Sequence, residues 1–228
     1  MATHVFFDFF GTLVDYDPGN HPPSHNAPHA FSRRAGVAMA PQESSLLWQR
    51  AWDELEVHAQ ATGIEHSMSD IAARYAELIG APAAAAEHID LLITEYLRAW
   101  TADIRPAFSA LQCLADLAAD HRLSVVSNTH DAQLVPGLMR RFGLDAHITD
   151  VITSVDVGRR KPDPEIFRAA LDRHGVTAAD TVFVGDNWTA DVEGPEKVGM
   201  AAFYVGPPAV DRPSVALGQL PALIRALP

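Results

Sequence analysis

The sequence predicts an α/β fold, in which a parallel β-sheet is covered by helices on both faces and a helical domain is inserted after the first strand. Five short apolar runs are rich in Val and Phe and do not alternate cleanly, as expected of strands buried on both sides. Helical patterns separate the later runs, and strands that alternate with helices favour a parallel sheet. The first interval holds only helical patterns, which indicates the insertion.

The five apolar runs account for the predicted sheet, and four helical stretches connect its later strands. The predicted strands are residues 4–9, 123–128, 150–154, 181–186 and 201–206. The predicted helices are residues 106–120, 131–142, 164–174 and 189–198. A Pro-rich tail with one short helical pattern follows the last strand.

The long interval after the first strand is predicted to be a domain of its own. Residues 16–103 contain no convincing strand, whereas residues 1–15 and 104–228 carry the α/β core. A Pro- and His-rich loop is expected at residues 17–30. The helices expected in this domain are residues 40–62, 67–80 and 83–103.

Size and charge limit the classes of partner. The chain has 228 residues, 48% of them hydrophobic, which is enough for a substantial core and a smaller inserted domain. The net charge of -12 argues against binding to nucleic acid or to an anionic membrane surface. An anionic small-molecule substrate stays compatible with this charge, because a metal ion or local basic residues can reverse the field inside one pocket.

Cysteine content and hydropathy favour a cytoplasmic protein. Cys113 is the single cysteine, so no intrachain disulfide can form, as is usual in a reducing compartment. No run reaches the roughly 18 apolar residues of a membrane span, and no signal-peptide pattern is visible. A monomer or a homodimer is expected.

Polar residues of chemical interest follow four of the predicted strands. In an open α/β sheet, ligands bind beyond the carboxyl ends of the strands, where the strand order reverses. These side chains are therefore expected to meet at one edge of the sheet, although they are far apart in the sequence. They are Asp8, Ser127, Asn128, Lys161, Asp186 and Asp191.

Four motifs in this order, each near the end of a strand, carry a resemblance to a known family. They are "DFFGT", "SN", "KPDPEIF" and "GDNWTAD". The set resembles the haloacid dehalogenase-like hydrolase superfamily over residues 4–15 and about 105–206. The resemblance implies a Rossmann-like core, with a helical cap domain placed between the first motif and the rest of the core.

The resemblance also implies roles for the residues that match its motifs. Asp8 matches the nucleophile, which forms a covalent aspartyl intermediate. Thr12 and Ser127 match hydroxyl donors to the transferring group, and Lys161 matches the cation that neutralises charge between nucleophile and substrate.

A second group of matching residues concerns the substrate and a metal. Backbone amides of the turn at Phe10 and Gly11 are expected to contact the substrate, and Asn128 to shape the site. Mg²⁺, which prefers oxygen ligands, is the implied cofactor. Its expected ligands are Asp8, the backbone carbonyl of Phe10, Asp186 and Asp191, with Asp186 the stronger candidate for direct coordination.

Phe10 complicates the assignment of the reaction. In phosphatases of the superfamily this position usually holds a second aspartate, which protonates the leaving group and then activates water. In the dehalogenases it is typically an aromatic residue, and a halide needs no proton to leave. Phe10 therefore favours a 2-haloacid dehalogenase.

The last motif favours the opposite conclusion. Dehalogenases of the superfamily need no metal and resemble "SSN" where this chain has "GDN". Asp186 and Asp191 would have no role in a metal-free site. The leading hypothesis is thus a Mg²⁺-dependent phosphatase of a small phosphate ester, the alternative is a 2-haloacid dehalogenase, and the third is a catalytically weak binding or regulatory member.

Several sources could replace the acid that Phe10 does not supply. His21, His25 and His29 belong to the Pro- and His-rich loop, and His130 follows the "SN" motif. Histidine titrates near neutral pH, which suits acid–base catalysis. An activated leaving group or a proton delivered by water are the other possibilities.

Overall fold

The computed structural model describes residues 2–16, 26–81 and 86–227. It divides into two compact units. One unit comprises Met1–Tyr16 and Ile104–Pro228 and contains the parallel sheet; the other comprises Asp17–Asp103, and its described elements are helices. None of the helices that the structure describes combines the length and the apolarity needed to cross a membrane.

The sheet has five strands, all paired in parallel. In chain order they are β1 His4–Phe7, β4 Arg122–Ser127, β5 Asp150–Thr153, β6 Thr181–Gly185 and β7 Ala201–Tyr204. Their spatial order is β5-β4-β1-β6-β7, so β1 is central and the strand order reverses beside it. This arrangement confirms the predicted α/β fold and its five strands, and it leaves the residues that follow β1, β4 and β6 at adjoining positions of one edge.

Helices cover the two faces of the sheet. In this unit they are α5 Ala110–Leu117, α6 Leu134–Phe142, α7 Ser154–Val157, α8 Pro164–His174, a π-helix at Trp188–Glu193, α9 Gly194–Lys197 and α10 Leu220–Arg225. On α8, Ile166 and Phe167 pack into a fully buried cluster with Phe6 of β1 and Phe183 of β6. The rings of Phe167 and Phe183 meet edge to face at 5.5 Å.

A short antiparallel ribbon, absent from the sequence prediction, joins the two chain segments that flank the helical unit. Its strands are β2 Val14–Asp15 and β3 Arg105–Pro106. Because residues 105–106 belong to this ribbon, the helix predicted at 106–120 begins only at Ala110. The helix predicted at 189–198 likewise differs, since it divides into the π-helix and α9 at Gly194, which Pro195 follows.

The helical unit contains α1 Asn26–Arg34, α2 Pro41–Thr62, α3 Met68–Leu78 and α4 Ala86–Trp100. Its core is built around Tyr75, which is fully buried and lies in ring contact with Trp48 at 5.4 Å and Phe31 at 5.9 Å. The Tyr75 hydroxyl is 2.7 Å from Ser44 Oγ and donates to the Pro28 carbonyl at 3.1 Å. The buried hydroxyl is thereby satisfied, as a polar group in a core must be.

The loop prediction at residues 17–30 is wrong over its last five residues, because α1 begins at Asn26. Pro28 lies in the first turn, where the missing N–H costs nothing, and Ala27 and Phe31 are buried. Burial of an apolar face therefore outweighs the loop-like composition. Residues 17–25, with His21 and His25, and residues 82–85 lie outside the described residues.

The backbone is strained at Ser109, and a substitution can test this strain. Among the described residues it is the one non-glycine residue with positive φ (66°), and its side chain makes no cap hydrogen bond to α5. A side chain in the left-handed region costs about 1–2 kcal/mol. We expect Ser109→Gly to raise the free energy of unfolding by about 0.5–1 kcal/mol, after the larger backbone entropy of glycine is subtracted.

Urea denaturation measures this difference, and Ser109→Ala is the matched control. Alanine keeps the Cβ atom and therefore the strain, so this variant should match the wild type. Equal stabilisation by Gly and Ala would show that the strain at residue 109 is not the cause.

Candidate active site

The turn after β1 is closed by backbone hydrogen bonds. The Asp8 N–H donates to the Val184 carbonyl at 2.8 Å, which continues the pairing of β1 with β6 by one residue. The Phe9 carbonyl then accepts from the N–H groups of Leu13 at 2.9 Å and Val14 at 3.1 Å. This reversal of the chain brings Thr12 back beside Asp8, with Thr12 Oγ1 3.4 Å from Asp8 Oδ2.

Gly11 is required within this turn for two reasons. Its φ is +82°, a conformation that L side chains rarely adopt. A Cβ atom at this position would also overlap the carboxylate of Asp186. The missing side chain therefore lets Asp186, which follows β6, approach the turn that follows β1.

Three carboxylates gather where these loops meet. Asp8, Asp186 and Asp191 can each offer an oxygen within 4.8 Å of the others. Asp8 and Asp191 are buried, with 7% and 1% of their surfaces exposed, and Asp186 is half-buried. Gly185 makes room for Asp191, because a Cβ atom there would overlap the Asp191 side chain.

Lys161 supplies the positive charge in this cluster. Its Nζ donates to Asp8 Oδ1 and to Asp191 Oδ1, both at 2.7 Å. The ammonium also lies over the ring of Phe183, 5.0 Å from the ring centroid. Burial alone would lower the pKa of Lys161, but the Asp191 and Asp8 carboxylates raise it above its ordinary value. Lys161 is thus a fixed cation bonded to the candidate nucleophile.

One cation does not balance three carboxylates. Burial, together with the charges of Asp8 and Asp191, raises the pKa of Asp186 to about 7. Burial also raises the pKa of Asp191 to about 6, although Lys161 opposes this shift. The cluster therefore holds more negative charge than its own groups neutralise at neutral pH.

Asn128 holds the loop that carries Lys161. Its Oδ1 accepts from the Lys161 N–H at 2.8 Å, and its Nδ2 donates to the Lys161 carbonyl at 3.0 Å. The two bonds fix the backbone of Lys161 to the end of β4. Asn128 therefore shapes the site through the backbone of Lys161, and a contact of Asn128 with substrate stays a prediction.

Two further residues of the predicted site, Ser127 and Phe10, lie at the end of β4 and in the turn after β1. Ser127 is fully buried at the end of β4, and its hydroxyl donates to the Asn128 carbonyl at 3.5 Å. The Phe10 ring meets the rings of Phe9 and Tyr16 edge to face, at 5.1 and 5.6 Å. Residue 10 thus belongs to a small aromatic group beside the turn.

The structure joins Asp8, Thr12, Lys161, Asp186 and Asp191 through one network of hydrogen bonds. Thr12 links two of the carboxylates, since Thr12 Oγ1 also lies 3.3 Å from Asp186 Oδ1. The network contains the four charged residues that the sequence predicts for the site, Asp8, Lys161, Asp186 and Asp191. His29, by contrast, is 3.2 Å from the Met39 carbonyl, within the helical unit.

Sequence reasoning missed two contributors to the site. Phe183 provides the ring beneath Lys161, but nothing distinguishes it from other strand residues in the sequence. The Asn187 N–H donates to Asp191 Oδ2 at 2.9 Å, and the Asn187 side chain accepts from the Ala190 N–H at 3.0 Å. Asn187 falls inside the "GDNWTAD" motif, and an Asn at the start of a helix is a recognisable cap signal.

The sequence of this chain matches a family model and several known proteins. A family model described as haloacid dehalogenase-like hydrolase matches residues 2–199. Haloacid dehalogenase-like hydrolase domain-containing protein 3 of Homo sapiens is 42% identical over 112 residues, 47% of this chain and 44% of the relative. A phosphoserine phosphatase of Thermus thermophilus is 41% identical over 75 residues, 31% of this chain and 30% of the relative. The chain thus matches less than half the length of these relatives.

A solved structure resembles the whole chain. The 2-haloacid dehalogenase from Pseudomonas syringae pv. Tomato DC3000 aligns with a TM-score of 0.76 and 23% identity, and the alignment covers 99% of each chain. At this identity the likeness shows the fold alone.

The unbalanced charge of the site predicts an unusual pH dependence of stability. Burial, with the charges of Asp8 and Asp191, raises the pKa of Asp186 from its ordinary value of 3.8 to about 7, so the folded state binds more protons than the unfolded state between these pH values. In the absence of divalent cations, stability should therefore fall as pH rises from about 4 to about 7. Asp186→Asn should remove much of this fall and should stabilise the protein at pH 7.5 by at least about 1 kcal/mol.

Lys161→Met tests the same balance of charges, but this variant should lower the free energy of unfolding where Asp186→Asn raises it. The variant leaves three carboxylates, two of them buried, without their cation, so we expect a loss of about 3–5 kcal/mol at pH 7.5. The loss should be smaller at pH 5, where protonation relieves the repulsion. Urea denaturation in EDTA at the two pH values measures both variants, and a loss for Lys161→Met that does not change with pH would contradict the electrostatic explanation.

Proposed function

The chain belongs to the haloacid dehalogenase-like hydrolase family, and from this premise we propose that it is a Mg²⁺-dependent phosphatase that hydrolyses a small phosphate ester through Asp8. One observation carries the proposal: Asp8, Asp186 and Asp191 lie within reach of one metal ion and are only partly balanced by Lys161. The phosphatase name of a relative supports the same choice.

The residues present fit a magnesium ion. Mg²⁺ takes oxygen ligands and keeps several waters, so one or two carboxylates suffice. Asp186 is the strongest candidate for direct coordination, because the Thr12 hydroxyl at 3.3 Å is the one hydrogen bond given to its carboxylate within the described residues. Asp8 and the Phe10 carbonyl would complete the protein's share. Asp191 would support the ion from its position between Lys161 and the Asn187 N–H.

The bound ion would offset negative charge on the phosphoryl oxygens while a carboxylate approaches them. The excess charge of the cluster supports this assignment, since burial and then repulsion from Asp8 and Asp191 raise the pKa of Asp186, and a bound divalent cation would favour the charged carboxylate. A site that worked without metal would leave this repulsion only partly compensated, by Lys161.

The remaining groups have consistent roles in this mechanism. Asp8 attacks phosphorus and forms an aspartyl phosphate, which water then hydrolyses. Lys161, held to Asp8 at 2.7 Å, orients the nucleophile and neutralises charge that would repel the substrate. The hydroxyls of Thr12 and Ser127 would donate to phosphoryl oxygens. Asn128 keeps Lys161 in place through its backbone.

The helical unit of Asp17–Asp103 is proposed as the cap domain that selects the substrate. The chain enters this unit after β2 and returns at β3, and these two strands are paired with each other. An insertion at this point leaves the sheet undisturbed. The acidic net charge of the chain fits a small-molecule substrate better than a nucleic acid.

Phosphate release from a panel of small phosphate esters tests the proposal. We expect release that requires Mg²⁺ and that falls by on the order of 10³-fold or more in Asp8→Asn, because the amide cannot act as the nucleophile. Thermal unfolding provides an independent readout of the metal: Mg²⁺ should raise the melting temperature of the wild type more at pH 7.5 than at pH 5.5. The same shift should be small in Asp186→Asn.

Two outcomes would count against the phosphatase. Release that Asp8→Asn leaves unchanged would exclude Asp8 as the nucleophile. No release from any ester, together with substrate binding that survives in Asp8→Asn, would instead support a binding or regulatory role.

A 2-haloacid dehalogenase is the second candidate, and Phe10 is the observation that favours it. The ring packs with Phe9 and Tyr16 and offers no proton, which a departing halide does not need. We expect no metal-free chloride release from 2-chloropropionate at high protein concentration, because the excess carboxylate charge opposes a carboxylate substrate. Chloride release that persists in EDTA and disappears in Asp8→Asn would establish the dehalogenase instead.

A further inference from the structure

We propose that the phosphate ester hydrolysed here has a leaving group that departs as a stable anion, which makes it an acyl, enol or aryl phosphate and not an alkyl phosphate. The inference rests on the proposed phosphatase function and specifies its substrate class. It follows from which groups surround Asp8 and which of them can give up a proton.

The turn that holds the nucleophile is nearly devoid of proton donors. Between Asp8 and Asp15 the side chains are aromatic or aliphatic, apart from Gly11 and the hydroxyl of Thr12. The side chain of Phe10 is engaged with Phe9 and Tyr16. The Thr12 hydroxyl lies 3.4 Å from Asp8 Oδ2 and 3.3 Å from Asp186 Oδ1, and an aliphatic hydroxyl is too weak an acid to protonate a leaving group.

The other groups in the network have different tasks. Lys161 donates to two carboxylates at 2.7 Å, and these bonds favour its charged form. Its ammonium therefore neutralises charge and does not transfer a proton. Asp186 and Asp191 are the groups assigned to the metal. A carboxylate that holds the metal ion has no proton to transfer, so none of the described members of this network can act as a general acid while the ion is bound.

With the described residues of this network alone, the first step proceeds without proton transfer from the protein to the leaving group; His21 and His25 lie outside the described residues. An Asp8 oxygen forms a bond to phosphorus, and the bond from phosphorus to the leaving oxygen breaks with its electron pair on that oxygen. A carboxylate or phenolate accepts this pair readily, since the parent acids have pKa values of about 4 and about 10. An alkoxide does not, because an alcohol is about as weak an acid as water.

The second step, hydrolysis of the aspartyl phosphate, depends less on a general acid. Water attacks phosphorus, the bond to Asp8 breaks, and the electron pair returns to the Asp8 carboxylate, which is a stable anion. The proton lost by water passes to solvent or to the product phosphate. Because no base in this network assists the water, this step should be slow, and aspartyl phosphate should accumulate when the first step is fast.

A graded series of substrates tests the proposal on the intact protein with Mg²⁺. The probes are acetyl phosphate, p-nitrophenyl phosphate, phenyl phosphate and ethyl phosphate. We expect kcat/KM to fall steeply along this series, while kcat for the two most reactive members stays similar because dephosphorylation limits both. Rapid-quench experiments on p-nitrophenyl phosphate should show a burst of p-nitrophenol, which a merely structural role of residue 10 would not produce.

Phe10→Asp is the informative variant, and Phe10→Leu is its control. An acid at residue 10 should raise kcat/KM for ethyl phosphate relative to p-nitrophenyl phosphate by about 10²–10⁴-fold, the usual contribution of general acid–base catalysis, and should suppress the burst. Leucine removes the aromatic ring without adding an acid, so the steep dependence on the leaving group should remain. The wild-type series decides the question by itself if Phe10→Asp does not fold.

Wild-type kcat/KM values that are similar for ethyl and p-nitrophenyl phosphate would overturn the inference, because an acid must then reach the leaving group from elsewhere. That result would leave the phosphatase function intact. No phosphate release from any member of the series, with Mg²⁺ present, would overturn the proposed function and the inference with it.

Discussion

The rest of the site depends on one buried ion bridge, in which Lys161 joins Asp8 to Asp191. The two carboxylates and the ammonium come from three different loops, which follow β1, β5 and β6. Burial of isolated charges is costly, so each of these groups is stable in its position only because the others are there. The bridge therefore fixes the relative positions of three loops at the carboxyl edge of the sheet and also orients the proposed nucleophile.

Backbone features make the bridge geometrically possible. Gly11 and Gly185 lack the Cβ atoms that would overlap Asp186 and Asp191, so the loops after β1 and β6 can approach each other closely. Asn128 bonds both backbone groups of Lys161 and so fixes the loop after β5 to the end of β4. The central position of β1 supplies the third requirement, because it places the loops that follow β4 and β6 on either side of Asp8.

The sequence was sufficient for the sheet and for the charged residues, because both depend on local patterns. Apolar runs located five strands, and strand ends located Asp8, Lys161 and the acidic pair. The helix Asn26–Arg34 was missed, since its buried face is created by tertiary packing. The Asn128 bonds to Lys161 span 33 residues, and the Phe183 ring meets Lys161 from another strand. Contacts of this kind leave no periodic trace in a single sequence.

The apparent conflict between Phe10 and the acidic cluster disappears once two physical tasks are separated. Stabilising charge on a phosphoryl group needs a cation and a metal site, which Lys161 and the three carboxylates can provide. Protonating a leaving group needs an acid, and that requirement depends on the substrate and not on the phosphoryl group itself. A site can retain the first capacity and lack the second without losing its chemistry, provided that its substrate releases a stable anion. In the proposed phosphatase, Phe10 would determine which esters are hydrolysed, and the acidic cluster would determine that they are phosphate esters.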